Sequence, residues 1–429
     1  MSVEVYTLGC RVNQYESEVL AERLAALGGS RDVHIVNTCT VTSLADRKSR
    51  QLLLRLRREH PEDLVVAVGC GVDGAGDALE TAGADLVVAN RDKARTLDLV
   101  TGLLQGRPPP VGRDWEPLDK ECLCGPGSRV RALLKVQDGC TVGCAFCRAC
   151  QVRGPLRSKT PSAARSEAES LARAGHREIV LVGINLAQYG QDLSPRPGLV
   201  RLLEEVLKVP HVRIRLSSLH PDAVSDDLIA LFSEEWRLCP HLHLPLQSGD
   251  DAVLKSMGRP YTQAEYTERA QAFLHAVPQA TVGADVVVGF PGEDEAAFVR
   301  TVETLDQLTP LNVHVFRYSP RPGTRAAQLA SRVPAKVSAR RATEVAERAR
   351  GWAGTVQQGF VGETVGVALE GEGEGRAWGR SENYLWVEVR GRQGTPRGTI
   401  VSVRLVEAAP EHMVGVMPDS TEDSGNRVR

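Results

Sequence analysis

The chain has 429 residues, 42% apolar and 25% charged, with a formal charge of −2. That composition is globular, with room for about three domains. The near-neutral charge excludes a global pull toward nucleic acid, so RNA binding must come from local basic patches. No charged-then-apolar leader precedes Val3, and no apolar run reaches the roughly 18 residues of a membrane span. With ten cysteines, this predicts a cytoplasmic chain with no membrane partner, and metal or redox chemistry rather than disulfides.

Residues 3–7 read as an apolar strand. Asn13 is placed to cap a helix from Gln14, with Glu16 reaching back as in a capping box. Leu20, Leu24 and Leu27 form its apolar face, and Gly28 and Gly29 end it. Residues 34–37, 64–68 and 86–89 read as buried strands and 44–58 and 93–104 as helices, an α/β unit with a parallel sheet. Cys10, Cys39 and Cys70 each follow a strand, and sites in open parallel sheets lie beyond the carboxyl ends of the strands. Three thiols aimed at one edge point to a metal site; the alternative for each is a small buried hydrophobe. Arg47, Lys48, Arg50, Arg55, Arg57 and Arg58 make the helix 44–58 basic, read as a solvated face. This unit spans residues 1–107, and a turn-rich linker follows over 108–127. Within the linker, Cys122 and Cys124 read as incidental, since one intervening residue suits neither a zinc knuckle nor a cube.

Over residues 128–356 the alternation resumes, with strands at 132–136, 178–182, 212–216, 241–244, 284–288 and 313–316. Helical patterns lie between them at 161–174, 222–232, 263–276 and 293–308, and an Ala/Arg/Glu-rich helix, 336–350, leads out. Six such units predict a partial (β/α) barrel with its chemistry at the carboxyl ends of the strands. Just after the first strand comes Cys140-Thr-Val-Gly-Cys144-Ala-Phe-Cys147. Three thiolates at this spacing can hold three irons of an iron–sulfur cube and leave the fourth iron open. On the loop alone two alternatives stand: Cys150 closes the cluster as in a ferredoxin, or the cysteines hold zinc. His241 and His243 alternate on one strand and read as hydrogen-bonded barrel residues. The glycines of 289–293 suit a close backbone approach to a ligand.

Residues 357–417 change character. Short strands at 364–370, 376–380, 385–389 and 399–405 with Gly-rich turns read as a small β-barrel. Trp378, Tyr384 and Trp386 lie among Arg376, Arg380, Arg390, Arg392 and Arg397, a pattern by which small barrels stack bases and hold phosphates. Trp386 reads as core. The polar tail, 418–429, reads as disordered.

The Cys140 loop resembles that of the radical S-adenosylmethionine enzymes, and nearly the whole chain is similar to the methylthiotransferases among them. The matching stretches are Thr7-Leu-Gly-Cys10-Arg-Val-Asn-Gln-Tyr-Glu-Ser17, Val36-Asn-Thr-Cys39, Val68-Gly-Cys70 and Lys135-Val-Gln-Asp-Gly-Cys140. Further along come Arg153-Gly154, Gly183-Ile-Asn185, His241-Leu-His-Leu-Pro-Leu-Gln247-Ser-Gly249, Gly289-Phe-Pro-Gly-Glu293 and Tyr318-Ser-Pro-Arg-Pro-Gly-Thr324. The terminal barrel resembles a TRAM domain. The resemblance implies two [4Fe–4S] clusters. One, on Cys140, Cys144 and Cys147, would bind S-adenosylmethionine and give a 5′-deoxyadenosyl radical. The other, on Cys10, Cys39 and Cys70, would carry the sulfur, with a second S-adenosylmethionine as methyl donor.

Gly183, Asn185, Gln247 and Gly289 are assigned to the cofactor on the same grounds. The segment after Cys10 looks most like the branch acting at C2 of N6-threonylcarbamoyladenosine beside the tRNA anticodon. Arg153 and Arg321 are then candidates for the substrate carboxylate, and Arg376, Trp378 and Arg380 for RNA. Implied partners are tRNA, a reductant such as flavodoxin or ferredoxin, and a sulfur donor. The alternatives are the isopentenyladenosine branch, the branch acting on an aspartate of a ribosomal protein, and a non-catalytic iron–sulfur RNA-binding protein. One departure stands out: where the family continues with apolar residues and a proline, this chain has Arg148-Ala-Cys150-Gln151.

Overall fold

The structure, a computed structural model, describes residues 2–417 apart from 26, 29–30, 108–114, 126, 128, 374 and 392–393. Gly29, most of the Pro-rich linker, Arg392 and the polar tail therefore lie outside the described residues. Four parallel strands, Val3–Thr7, Val33–Thr38, Leu64–Gly69 and Leu86–Val88, pair in sequence order. The middle two are buried along their whole length, as expected of aliphatic runs covered on both faces. Thr7 pairs with Asn37 and Thr38 with Gly69, so Cys10, Cys39 and Cys70 follow the strands at one edge.

The first helix, Arg11–Leu24, corrects the expected cap. It starts directly after Cys10, which makes no side-chain cap bond. Asn13 lies inside the helix and donates to the carbonyls of Leu8 (2.8 Å) and Thr38 (3.0 Å). Glu16 faces buried cations rather than the backbone. A capping box and a buried polar helix face share the same residue types, and only the tertiary partners separate them. Ser43–Glu59 is capped by Thr42, which accepts from the Ala45 amide. A further helix, Val72–Thr81, begins after Cys70 and Gly71; its glycines hid it from the sequence pattern.

Six parallel strands form the partial barrel. Ala132–Asp138, Glu178–Gly183 and Arg213–Leu216 make one sheet, with the short antiparallel Arg157–Ser158 at its edge; His241–Gln247, Thr281–Val288 and Asn312–Arg317 make the other. Parallel bridges from Ile214 to Leu238 and from Ser218 to His243 join the two. Leu242, Leu244 and Leu246 pack into the outer core, so His241 and His243 face the lumen. Val12, Tyr15 and Val19 of the first helix belong to that same core, so the amino-terminal unit and the barrel are packed as one body. Gly198–Val206 and Asp251–Met257 are additional helices, and the exit helix runs Ala335–Gly359.

At the carboxyl end, Thr364–Gly373, Arg376–Ser381, Trp386–Arg390, Ile400–Ala408 and Met413–Val416 close a five-stranded barrel. The four-residue last strand, too short for the pattern to reveal, closes it by pairing parallel to Trp386–Arg390. Trp386 is not core: it is half-buried and stacks on Trp378 with centroids 6.2 Å apart, because the inward positions are held by Val387 and Val389. The small barrel docks on the amino-terminal end of the large one. The Glu178 carboxylate holds Arg213 and Arg215, whose guanidinium groups donate to the carbonyls of Gly366 (2.6 Å), Ser381 (2.9 Å) and Glu382 (2.9 Å). Tyr384 stacks on His241, with centroids 4.4 Å apart.

Candidate functional site

The strand-to-helix turns of the first sheet bring Cys10, Cys39 and Cys70 together ahead of three helices. Gly9 has φ +97°, and a Cβ there would lie 2.6 Å from the Cys39 sulfur. Gly69 has φ +96°, and a Cβ there would lie 2.9 Å from the Thr38 carbonyl oxygen. Glycine thus lets the turns close until the thiols approach. Burial pushes the Cys39 thiol up to about 11, and the neighbouring Cys70 and Cys10 sulfurs add to the effect. Burial also raises the Cys70 thiol, opposed by Arg153 and Lys93. Positive charge therefore stands beside the triad, which favours bound thiolates.

The second triad lies in the loop after Ala132–Asp138, at the carboxyl edge of the barrel. Its sulfurs accept from the Asn185 amide (Cys140, 3.8 Å), the Arg259 guanidinium (Cys144, 3.3 Å) and the Ala149 backbone (Cys147, 3.3 Å). Burial pushes the Cys147 thiol up to about 12. Such donors are the kind that tune cluster thiolates. Among the described residues, the trios of metal-ligating atoms within 4.8 Å of one another are His34–His60–Asp63 and His243–Asp285–His314, with no cysteine among them. Three sulfurs on one tetrahedral zinc, each about 2.3 Å from it, would stand about 3.8 Å apart. Both triads are more open than that, as a cube with one iron per thiolate requires. The residues fit iron–sulfur clusters better than zinc. Cys150 is exposed on the short helix Ala149–Val152.

Residues 148–153, whose first four depart from the family pattern, form the wall between the triads. Arg148 donates to Thr40 beside Cys39 (3.2 Å), and Asn90 donates to the Val152 carbonyl (2.7 Å). Arg153, 2% exposed, donates to Glu16 (2.5 Å) and to Asn13. Glu16 also accepts from Lys93 (2.6 Å) and Lys135 (2.7 Å). Arg321 is likewise buried, donating to Thr40 (2.8 Å) and Ser43 (3.1 Å) and pairing with Asp46. Both arginines expected to meet a substrate carboxylate are thus committed to the protein's own acceptors, and that expectation is corrected.

Gly183 and Gln247 end their strands and Gly289 follows one. At Gly289 a Cβ would lie 2.7 Å from the Ser338 Cβ, so glycine there lets the exit helix approach. In the small barrel, Trp378 is half-buried and Arg376 exposed, 3.3 Å from Glu388. Arg380 departs from a phosphate ligand: it lies over the rings of Tyr384 (4.3 Å) and Trp386 (5.1 Å) and donates to the Tyr384 carbonyl. Arg148, Arg259, Glu16, Lys93 and Lys135 escaped the sequence reading. Charged residues inside a motif were a usable signal for Glu16 and Lys135; nothing local marks Arg259.

Residues 134–305 match the radical SAM superfamily and residues 2–89 the uncharacterized protein family UPF0004. The chain is 32% identical to the threonylcarbamoyladenosine tRNA methylthiotransferase MtaB of Thermotoga maritima, over 98% of each chain. It is 31% identical to the tRNA-2-methylthio-N(6)-dimethylallyladenosine synthase of Thermus thermophilus, over 97% of this chain and 91% of that one. Among solved structures, the radical S-adenosylmethionine methyltransferase TsrM of Kitasatospora setae shares the fold, with a TM-score of 0.57 and 14% identity over 87% of this chain and 79% of that chain. With both cysteine triads inside one near-full-length match, the chain belongs to the radical S-adenosylmethionine methylthiotransferases, enzymes that work with S-adenosylmethionine and [4Fe–4S] clusters.

Proposed function

We propose that this enzyme inserts a methylthio group at C2 of N6-threonylcarbamoyladenosine next to the anticodon of tRNA. The observation that carries the reading is the pairing of two cysteine triads across one wall, in a chain similar over 98% of its length to a relative named for that nucleoside. In this reading Cys140, Cys144 and Cys147 hold one cluster and Cys10, Cys39 and Cys70 the other. When bound, the clusters and S-adenosylmethionine would supply radical C–H activation and a methylated sulfur. Asn185, Arg259 and the Ala149 amide orient the first set of thiolates, and Arg153 and Lys93 offset the charge of the second. Gly183, Asn185 and Gln247 stand at the strand ends where the cofactor would lie.

Residues 1–107 then serve the sulfur side, 128–356 the radical side and 357–417 the RNA, with Arg376 and Trp378 the better-placed contacts there. A reductant such as flavodoxin or ferredoxin and a sulfur donor complete the partners. A base in a single-stranded loop reaches such a site at low unstacking cost. Nucleoside mass spectrometry of tRNA from a strain lacking this gene is expected to lose 2-methylthio-N6-threonylcarbamoyladenosine while the unthiolated parent accumulates. Loss of the isopentenyl derivative instead, or of a methylthio mass from a ribosomal protein, overturns the choice of substrate.

A further inference from the structure

The lumen face of the last two barrel strands carries a polar group with no part in holding the cysteine triads. In register across His241–Gln247, Thr281–Val288 and Asn312–Arg317, Gly283 pairs with His243 and Asn312, Asp285 with His314, and Val287 with Phe316. Alternate residues, Val282, Ala284 and Val286, enter the outer core, so this set faces inward. One carboxylate oxygen of Asp285 meets His243 Nε2 at 2.8 Å and His314 Nδ1 at 3.0 Å. Burial alone would raise the Asp285 carboxyl, but these two hydrogen bonds outweigh it and hold it well below the usual range. The absent Cβ of Gly283 leaves room there for His243 and Asn312: it would stand 2.6 Å from His243 Nδ1 and 2.5 Å from Asn312 Oδ1. That Asn312 oxygen is buried with no hydrogen-bond partner.

This face is open to solvent. The His314 side chain is 59% exposed. Phe316, two residues nearer the carboxyl edge that carries the Cys140 loop, is 44% exposed. The two rings stand edge to face, 6.5 Å apart. A bare phenyl ring on the lumen face of a radical enzyme is an apolar surface awaiting a ligand, and bases of any identity stack on such rings. Below it, His314 donates from Nδ1 to Asp285, which leaves its outward Nε2 as an acceptor.

We propose that Phe316, His314, Asp285 and Asn312 form the binding wall for the substrate base. Phe316 stacks the ring, and His314 accepts from an N–H or O–H group of a polar substituent on it, with Asn312 packed behind against Gly283. Asp285, itself held by His243, is a positioning residue that fixes the His314 tautomer. A ureido substituent that carries a hydroxyl and a carboxylate offers such N–H and O–H donors. An isopentenyl substituent carries none and would dry the exposed His314 acceptor without replacing its water, the kind of mismatch that polar sites reject most strongly. The inference rests on the reading that the substrate is a modified adenosine in tRNA, and it deepens that reading by assigning the side chains that tell the polar substituent from the apolar one.

The test is steady-state methylthiolation of tRNA carrying N6-threonylcarbamoyladenosine by anaerobic, cluster-loaded enzyme, comparing wild type with Phe316→Ala, Phe316→Tyr and His314→Ala. KM is expected to rise about tenfold or more for each alanine variant, the scale of one lost stack or hydrogen bond. Phe316→Tyr should restore it, and iron content should equal wild type throughout. The ratio of kcat/KM for threonylcarbamoyl- over isopentenyl-bearing tRNA should fall in His314→Ala. Wild-type KM and wild-type ratio in both alanine variants overturn the wall. So does loss of one bound divalent ion in His314→Ala, which would make the trio a metal site. A wild-type enzyme inert toward tRNA defeats the parent reading instead, before the variants are compared.

Discussion

Replacing Glu16 by Gln tests what holds the wall between the triads. The Glu16 side chain, 3% exposed, lies 2.6 Å from Lys93, 2.7 Å from Lys135 and 2.5 Å from Arg153. Burial would raise its carboxyl, but the three cations outweigh that and keep it well below the usual carboxylate range. Gln keeps the shape and removes the charge. Lys135 would still have Glu121 at 3.0 Å and Asp138 at 2.9 Å, and Arg153 would still have Asp138 at 3.7 Å. The loss is therefore that of one broken buried pair, about 3–5 kcal/mol, not the sum of three. Urea unfolding of the cluster-free protein reads it as a drop in the first transition, because a chain of several domains has no single unfolding free energy. Adding Lys93→Met to the variant should recover much of the loss, since it removes the cation left without its carboxylate. A loss below about 1 kcal/mol, the scale of an exposed pair, refutes the argument, and so does a double variant no better than the single one.

Alanine at Cys140, Cys144 and Cys147 together, or at Cys10, Cys39 and Cys70 together, should each roughly halve bound iron measured after anaerobic reconstitution, on the logic of three thiolates per cube. Cys150→Ala should keep it all; an iron loss there would make Cys150 a ligand. Burial, aided by Arg259, pushes His220 down to about 3, so the unfolded chain takes up this proton near pH ~6.5 and the native chain only near its own lowered value. The stability this group contributes is full above pH ~6.5 and falls by about 1.4 kcal/mol per pH unit as the medium is acidified toward the native value. In cluster-free protein, His220→Gln should therefore lose about 2 kcal/mol less than wild type between pH ~7 and ~5, and parallel stability curves would refute it.

The fold was legible wherever the pattern is one of burial. All six barrel strands stand within a few residues of their expected places, and Gln263–Ala276 runs where its helical pattern put it, opened by a Thr262–Glu265 capping box. The failures share a cause. Val72–Thr81 was hidden by glycines and Met413–Val416 by brevity. Trp386 was read as one of the aromatics that fill the core of a small domain, yet stacking on Trp378 and Arg380 holds it outside. The triads were readable because metal-binding cysteines carry their own signature. The wall between them was not, since nothing local marks Arg148, and Arg153 and Arg321, read as substrate ligands, find buried acceptors that only the tertiary fold brings to them.

The side chains of the segment after Cys10 bond other parts of the protein. Arg11 donates to the Tyr384 hydroxyl of the small barrel at 2.8 Å. Tyr15 donates to Glu167 of the large barrel at 2.8 Å, and Ser17 accepts from Asn37 of the first sheet at 3.1 Å. With Glu16 at the charge hub, one helix therefore ties three structural units together through different faces. A carbon-centred radical and the sulfur it must meet have to be held at near contact, where a displacement of about 1 Å costs orders of magnitude in rate. A flexible joint between the units would spread that distance over many ångströms. Buried ion pairs are poor sources of net stability but strict about geometry, which is what the placing of two reactive centres requires. The motif after Cys10 thus serves the geometry between the two triads, through contacts to all three structural units.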